Sequence, residues 1–140
     1  MKNVLFLFLL LFSGHFADAA GLTGSWRLKY TELAGQKHFV ARDTTITLTI
    51  RDSTWTTVVT PTRDPNASGF RARFATDDSK TPRHIDLFGT SGAGIVWKGI
   101  YELQGNMLKV CRTRLTSRPT RFFSSSDGKV FLEFYERIDS

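Results

Sequence analysis

The chain has 140 residues, of which 41% are hydrophobic and 13% aromatic, and its formal net charge is +6 at pH 7. This length corresponds to one small domain, and the hydrophobic content is too high for an intrinsically disordered chain. The single cysteine excludes a disulfide framework, as well as zinc and iron-sulfur sites built from several cysteines. We therefore expect one globular domain without covalent cross-links.

The first nineteen residues have the features of a secretory signal peptide. Lys2 supplies the positive start, residues 4–12 form an apolar run, and the triplet at 17–19 fits an A-x-A cleavage site. The run is too short for a transmembrane helix, which needs about twenty apolar residues, and no later segment is apolar for long enough. A buried helix is the alternative. We predict cleavage near Ala19, a single domain over 20–140, no membrane span, and a periplasmic or secreted protein.

After this start, apolar and polar residues alternate with a period of two, which is typical of strands with one buried face. The first strand carries Trp26, Leu28 and Tyr30 on one face, and the next, around 45–50, alternates apolar residues with threonines, which favour strands. His38 falls in a predicted loop or short turn between them. Further strands are predicted over 54–60, 70–74, 84–88, 95–103, 107–112, 120–124 and 129–137, with turns or loops at 51–53, 61–69, 76–83, 89–94, 104–106 and 126–128.

No stretch of ten residues has a helical pattern, so the fold class is all-β. Eight or nine strands with mostly short connections form an antiparallel meander. Such a meander closes most simply into an up-and-down barrel of about eight strands, which leaves no exposed sheet edge. A two-sheet β-sandwich is the alternative.

One pair of residues suggests how the barrel closes. The Gly24-x-Trp26 motif on the first strand resembles the Gly-x-Trp signature of lipocalins, and Arg137 lies where such barrels place an arginine across that tryptophan. A guanidinium over an indole gains cation-π energy. We expect this pair to close the bottom of the barrel, where the first and last strands meet.

A longer set of motifs resembles one particular family. The order of these motifs is that of a lipocalin-like bacterial domain family of unknown function, which is abundant in planctomycetes. The resemblance covers about residues 22–137 and implies a lipocalin-like fold; it transfers no activity, cofactor or catalytic residue. The motifs are Lys80-x-Pro82, Ile85-Asp86-Leu87, Gly99-Ile100-Tyr101-Glu102-Leu103, Leu108-x-x-Cys111 and Arg118-Pro119-x-x-Phe122.

Most of these motif residues have a structural interpretation. Gly24, Trp26, Gly99 and Arg137 form the predicted structural signature. Within a strand, Gly99 relieves crowding or permits sharp coiling, because it has no Cβ. Asp86 is expected to form a salt bridge with His84 or with an arginine of a neighbouring strand. The arginine at 118 either caps a loop or reaches the barrel mouth.

Catalysis and metal binding have little support in the sequence. A catalytic set would need His38 or His84 beside a serine or Cys111, and nothing in the spacing brings them together. We predict that Cys111 is a small buried thiol; a thiol activated by flanking arginines is the alternative. The histidines and the cysteine also lack the spacing of a zinc site. We therefore predict no metal, no cofactor and no enzymatic activity.

Two functions remain, and both are non-enzymatic. The first is binding of a small apolar or amphipathic ligand inside the barrel. The arginines form either a solvated face or a cationic rim that attracts an anionic lipid, polysaccharide or acidic protein; they are Arg71, Arg73, Arg112, Arg114, Arg118 and Arg121. The second is a barrel filled by side chains, which acts as a protein-interaction or inhibitory module through the loops 61–69, 89–94 and 113–119. Nucleic-acid binding is not expected, and the protein is expected to be a monomer. The candidate interior residues are Tyr30, Trp55, Phe70, Phe74, Trp97 and Tyr101.

Overall fold

A computed structural model describes residues 21–61, 69–90 and 94–138. The predicted signal peptide over 1–19 and most of the predicted loop over 61–69 lie outside these ranges. Among the described residues, no helix has the length and apolar character needed to cross a membrane. The described ranges form nine strands: β1 (Gly24–Leu33), β2 (Gln36–Phe39), β3 (Thr45–Arg51), β4 (Thr54–Thr60), β5 (Arg71–Asp77), β6 (Arg83–Phe88), β7 (Ile95–Gln104), β8 (Met107–Thr113) and β9 (Val130–Arg137).

The strands form one closed antiparallel sheet. From β3 to β9 each strand pairs with the next along the chain, and β9 pairs with β1 to close the barrel. This confirms the predicted all-β up-and-down barrel of eight strand positions rather than a sandwich, and it is consistent with a lipocalin-like barrel. Closure gives every strand position two neighbours, although within the described residues the β4–β5 pairing extends only from Thr54 to Thr56.

The additional strand, β2, was not predicted. It pairs with the second half of β1, where Tyr30 lies opposite Phe39, whereas β3 pairs with the first half of β1, where Arg27 lies opposite Thr47. Because both pairings use the same edge of β1, β2 and β3 together occupy one position of the barrel, interrupted by residues 40–44. The prediction of a loop at His38 is therefore wrong, since this residue lies on β2.

The barrel interior is packed with apolar side chains at one end. Trp26, Trp55, Tyr101 and Tyr135 are the largest fully buried side chains and belong to one core cluster. The end that contains Trp26 and Arg137 is called the closed end below. The opposite end, where β7 begins and β8 ends, is called the mouth.

Residues 114–129, called the outer segment below, differ from the prediction. A strand over 120–124 was expected, but no strand occurs between β8 and β9. Instead Phe122 and Phe123 pack on a second apolar cluster, which includes Ile100 and Cys111 and lies on the outward face of β7, β8 and β9. The outer segment thus covers apolar wall residues that water would otherwise contact.

The same segment is attached to the wall by Arg118. Its Nη1 donates hydrogen bonds to the backbone oxygens of Ile85 (3.2 Å) and Gly99 (2.9 Å), and its Nη2 lies 2.8 Å from Oδ1 of Asp86. The predicted salt bridge of Asp86 is confirmed, although its partner lies on the outer segment rather than on a neighbouring strand. The arginine therefore neither caps a loop nor reaches the mouth.

Two further residues of the wall bear on the sequence predictions. Tyr30 was expected inside, but its ring stacks on Phe134 at 4.3 Å and contacts Phe39 on the outer wall. The reason is a bulge in the β1–β9 pairing between Leu28 and Tyr30, which reverses the alternation after that point. The interpretation of Gly99 is confirmed, because a Cβ there would lie 2.7 Å from the Cys111 oxygen.

Candidate functional site

The mouth contains an apolar pocket of about 370 Å³. Its floor is formed by two inward-facing rings, Trp97 on β7 and Phe131 on β9, which meet edge to face at 5.4 Å between centroids. Its rim carries two cations, Arg114 and Lys129. A few convergent polar groups around an apolar floor are typical of small-molecule sites. The pocket is lined by Trp97, Arg114, Leu115, Gly128, Lys129 and Phe131.

Register explains why the two rings point inward. Trp97 lies opposite Leu87, a buried member of the core cluster, and directly opposite residues of neighbouring strands share a face. Phe131 lies opposite Arg112, and Arg112 in turn lies opposite Gly99. The missing side chain of Gly99 leaves room for the arginine, since a Cβ there would stand 3.2 Å from the Arg112 Cβ.

One buried hydroxyl fixes the pocket's rim. Thr113 is fully buried, and its Oγ1 donates to the backbone oxygen of Lys129 at 2.9 Å. The same Oγ1 accepts a hydrogen bond from the backbone nitrogen of Leu115 at 3.1 Å. The two ends of the outer segment are thereby held beside each other. Because Arg114 is flanked by these anchored residues, its backbone has a defined position at the mouth.

Below the pocket, Arg112 enters the barrel among aromatic rings. Its guanidinium carbon lies 4.6 Å from the Trp97 ring centroid, 5.1 Å from that of Phe131 and 5.6 Å from that of Phe70. Arg114 lies on Trp97 as well, at 4.4 Å. Trp97 therefore contacts two guanidinium groups, which are attracted to the negative face of its ring.

A buried carboxylate neutralises Arg112. The side chains of Arg112 and Glu133 are only 12% and 8% exposed, and two hydrogen bonds join them: Nε to Oε1 at 2.7 Å and Nη2 to Oε2 at 3.3 Å. Glu133 also accepts a hydrogen bond from the Tyr135 hydroxyl at 2.7 Å. Burial raises the pKa of Tyr135 well above its ordinary value, and the nearby Glu133 charge adds to the shift. These three side chains form a bonded charge network inside the barrel.

Two hydrogen-bond donors near the mouth have no acceptor among the described residues. Nη1 of Arg112 and Nε1 of Trp97 are both buried, and no acceptor within the described ranges hydrogen-bonds to either. Nε1 of Trp55, deeper in the core, shares this feature. A buried donor without an acceptor costs free energy. The mouth therefore contains a buried indole N–H and a buried guanidinium N–H close to an apolar pocket.

The predicted interior residues separate into three groups. Trp55, Phe74 and Tyr101 belong to the packed core cluster, so they fill the barrel. Trp97 and Phe70 lie at the mouth, where Phe70 is 37% exposed. Tyr30 lies outside, as described above. The structure thus brings together two of the six predicted residues at one candidate site.

Sequence reasoning missed Lys129 and Phe131, and it treated Arg112 and Arg114 only as members of a general basic surface or rim rather than as residues of this pocket. The alternation on β8 contains the missing signal, because Leu108 and Val110 are buried core residues and the arginine at 112 has the same parity. A charged residue in phase with buried ones is unusual unless it is paired. That exception marks a candidate site.

A second concave surface, near the closed end, is less well suited to an apolar ligand. It has a volume of about 440 Å³ and lies between the β5–β6 turn, β7 and Phe122. Its lining mixes Lys80 and Arg83 with Asp78 and Glu102. The lining also includes Tyr101 and Phe122, but its charged residues of both signs make it more polar than the mouth pocket, so we place the candidate site at the mouth.

The candidate nucleophile and bases have different surroundings, and Ile100 on β7 lies between His84 and Cys111. Cys111 is fully buried under the outer segment, with Sγ 3.4 Å from the Phe123 oxygen, and burial raises the pKa of its thiol. The prediction of a buried thiol is confirmed. His38 is exposed on β2, and burial together with Arg118 lowers the pKa of His84. In the described part of the chain, no group of three potential ligands could hold a metal ion.

Comparison of the chain with protein-family models, with curated proteins and with solved structures finds no match. The class of protein is therefore set by the fold itself, a closed antiparallel eight-stranded barrel with one additional strand. The resemblance to a lipocalin-like domain family stays a prediction from the motifs.

Proposed function

We propose that this protein is a non-enzymatic barrel, periplasmic or secreted, that binds a small amphipathic ligand at its mouth. The apolar part of the ligand lies on Trp97 and Phe131, and an anionic group faces the cations of the rim. The observation that carries the proposal is the pocket of about 370 Å³ with an aromatic floor and the rim cations Arg114 and Lys129.

The charge at the mouth favours an anionic group over a neutral one. Glu133 neutralises Arg112, but within the described residues neither Arg114 nor Lys129 forms an ion pair. Nη1 of Arg112 also has hydrogen-bonding capacity that Glu133 does not use. Charge-assisted hydrogen bonds are about twice as strong as neutral ones, so a carboxylate, sulfate or phosphate head fits this end of the pocket.

The packed core limits the size of the ligand. Because Trp55 and Tyr101 fill the barrel below the mouth, a ligand occupies the pocket rather than the barrel axis. A volume of about 370 Å³ lies near the lower end of small-molecule sites. We therefore expect a short or compact amphiphile rather than a large hydrophobic cargo.

The first test is native mass spectrometry of protein produced by its own host, before and after extraction with organic solvent. The expected result is an additional discrete mass that extraction removes. Titration calorimetry of the extracted protein then compares octanoate with 1-octanol, which have the same chain but differ in charge. We expect octanoate to bind about tenfold more tightly, equivalent to one charge-assisted interaction.

Two variants locate the binding. Arg114→Gln should remove most of the preference for octanoate over octanol, whereas Phe131→Ala should weaken the binding of both. The matched control is Arg71→Gln, which removes the same charge from the exposed outer wall. A bare native mass, together with no heat of binding from either probe and no change in melting temperature against a host lipid extract, would overturn the proposal.

A protein-interaction function is the second candidate, and one observation favours it. Phe39 on β2 is 72% exposed and contacts Tyr30, whose ring continues onto Phe134. Exposed aromatic side chains in a contiguous group are common in protein interfaces. A bare mass in the first experiment, combined with a stoichiometric protein complex from the host that Phe39→Ser abolishes, would favour this function instead.

A further inference from the structure

The outer wall of β3, β4 and β5 carries only arginines and threonines along two adjacent rows. In one row Thr49 lies opposite Thr56, and Thr56 opposite Arg71. In the other, Arg51 lies opposite Thr54, and Thr54 opposite Arg73. Together with Arg27 and Thr47, which pair on β1 and β3, these residues are called the arginine–threonine face below.

The arginines of this face form no salt bridge within the described structure, although Glu136 lies opposite Arg27 and Asp52 lies beside Arg51. All four are exposed, and none of Arg27, Arg51, Arg71 and Arg73 forms a salt bridge with a described carboxylate. By contrast, the arginines at 112 and 118 each pair with an acid. The face therefore carries a concentrated positive potential, which attracts anions.

The face is also concave. A depression of about 490 Å³ is lined by Thr49, Arg51, Thr54, Thr56 and Arg71, with Asp52 at the turn. Neighbouring strands are about 4.8 Å apart, so the backbones of Arg51 and Arg73, two strands apart, are separated by about 10 Å. The threonine hydroxyls lie between these cations and both donate and accept hydrogen bonds.

The chemistry of the face selects among polyanions. Single-stranded nucleic acid binds through bases stacked on aromatic rings, and a membrane surface is engaged by inserted apolar side chains; neither kind of side chain belongs to this face. A protein interface needs an apolar centre, whereas here the apolar neighbours lie at the borders of the face: Val58, opposite Thr47, and Phe88, opposite Arg73. On this face, threonine hydroxyls lie between the arginine cations. This arrangement is complementary to a polymer that carries hydroxyl groups between its anionic groups.

We propose that the arginine–threonine face binds a linear acidic polysaccharide, one that carries sulfate or carboxylate groups on successive sugar rings. The guanidinium groups of Arg51, Arg71 and Arg73 bind the anionic groups, and the threonine hydroxyls bind sugar hydroxyls. This site is on the outer wall and does not depend on the mouth pocket. The protein would thus be held at a polysaccharide surface while its mouth stays open to a small ligand.

The test is titration of the extracted protein with a sulfated heparin hexasaccharide, with maltohexaose as the neutral chain. We expect binding of the sulfated chain only. The double variant Arg51→Gln/Arg73→Gln should weaken it at least tenfold at low salt and should lower the slope of log affinity against log salt by about two, one for each lost contact. The matched control, Lys80→Gln/Arg121→Gln, removes two exposed charges elsewhere and should retain the affinity.

Additional measurements distinguish a specific polysaccharide site from general attraction between opposite charges. Threonine replacement, Thr54→Val/Thr56→Val, should weaken the hexasaccharide but leave binding of inorganic polyphosphate unchanged. Equal losses in the matched control, or equal affinity for single-stranded DNA or for phosphatidylglycerol vesicles, would overturn the proposal in favour of unspecific charge. Phe131→Ala should keep full hexasaccharide affinity, so failure here and failure of the mouth site are distinguishable.

Discussion

Each end of the barrel contains a tryptophan in contact with arginine. At the closed end, the guanidinium of Arg137 lies 4.1 Å from the ring centroid of Trp26. At the mouth, Trp97 contacts the guanidinium groups of Arg112 and Arg114 at 4.6 and 4.4 Å. The same type of contact therefore occurs twice, with different surroundings.

The closed end satisfies its donors with the backbone of the chain. Nε1 of Trp26 donates to the Leu22 oxygen at 2.9 Å, and the two terminal nitrogens of Arg137 donate to the oxygens of Gly21 (2.6 Å) and Thr23 (3.0 Å). Trp26 and Leu22 are both fully buried. The contact between Trp26 and Arg137 is therefore structural, because the indole nitrogen of the first and both terminal guanidinium nitrogens of the second already have backbone acceptors.

The mouth keeps donors available. Nε1 of Trp97 and Nη1 of Arg112 have no acceptor among the described residues, and inward-facing Phe70 is 37% exposed. The difference shows that a tryptophan–arginine contact does not by itself indicate structure or binding. What separates Trp26 from Trp97 is whether the described chain supplies an acceptor for the ring nitrogen, and Trp55 in the core resembles Trp97 in this respect.

The largest expected effect is the loss of stability when either of the two tryptophans is replaced by alanine. Trp26→Ala should lower the free energy of unfolding by about 3–5 kcal/mol, because it empties a fully buried site. Trp97→Ala should cost less, about 1–2 kcal/mol, since that side chain is only partly buried beside a pocket. Urea denaturation of both variants measures this difference. Equal losses, or a loss below about 1 kcal/mol for Trp26→Ala, would contradict the assignment of the two ends.

The tryptophans also show what sequence could predict. Strong alternation predicted every strand that forms the closed barrel, and residues 54–60 form a strand with the predicted bounds. The pair of Trp26 and Arg137 was predicted from a motif, and the structure confirms it. These features are predictable because each is encoded by nearby residues or by a short motif.

Features that depend on distant contacts were not predictable in the same way. The four residues of β2 are all exposed and have no buried face to reveal a strand. The turn residues at 126–128 predicted a hairpin with a strand over 120–124, but Phe122 and Phe123 instead cover the outer wall. One bulge near Leu28 moved Tyr30 to the outside. At the mouth, Arg112 became a site residue only because Glu133 and the rings surround it.

The next expected effect compares the two inward-pointing arginines. Arg112→Met should destabilise the protein by about 3 kcal/mol, because it leaves Glu133 buried without its cation. The double variant Arg112→Met/Glu133→Gln should recover much of this loss, since it removes both charges. Arg137→Met should cost about 1–2 kcal/mol, from two hydrogen bonds and one cation-π contact. Unfolding curves that show no recovery in the double variant would contradict a charge network at the mouth.

The smallest expected effect is on the pH dependence of stability, which tests the hydrogen bond between Tyr135 and Glu133. Tyr135→Phe removes a hydrogen bond to Glu133 and should cost about 1–2 kcal/mol at pH 7. Burial raises the pKa of Tyr135 above its ordinary value near 10. The stability that depends on this neutral hydroxyl is therefore fully present below about pH 10 and declines as the pH rises further, because the unfolded chain loses the proton first.

The difference in unfolding free energy between the wild type and Tyr135→Phe should consequently narrow as the pH rises above about 10. Tyr30→Phe, which removes a hydroxyl from the outer wall, is the control for general alkaline destabilisation. A constant difference between about pH 8 and pH 11 would show that the hydroxyl is not buried against Glu133. A narrowing difference would confirm that Tyr135 and Glu133 form a hydrogen-bonded pair removed from water in the barrel interior, and that this pair connects the packed core to Arg112.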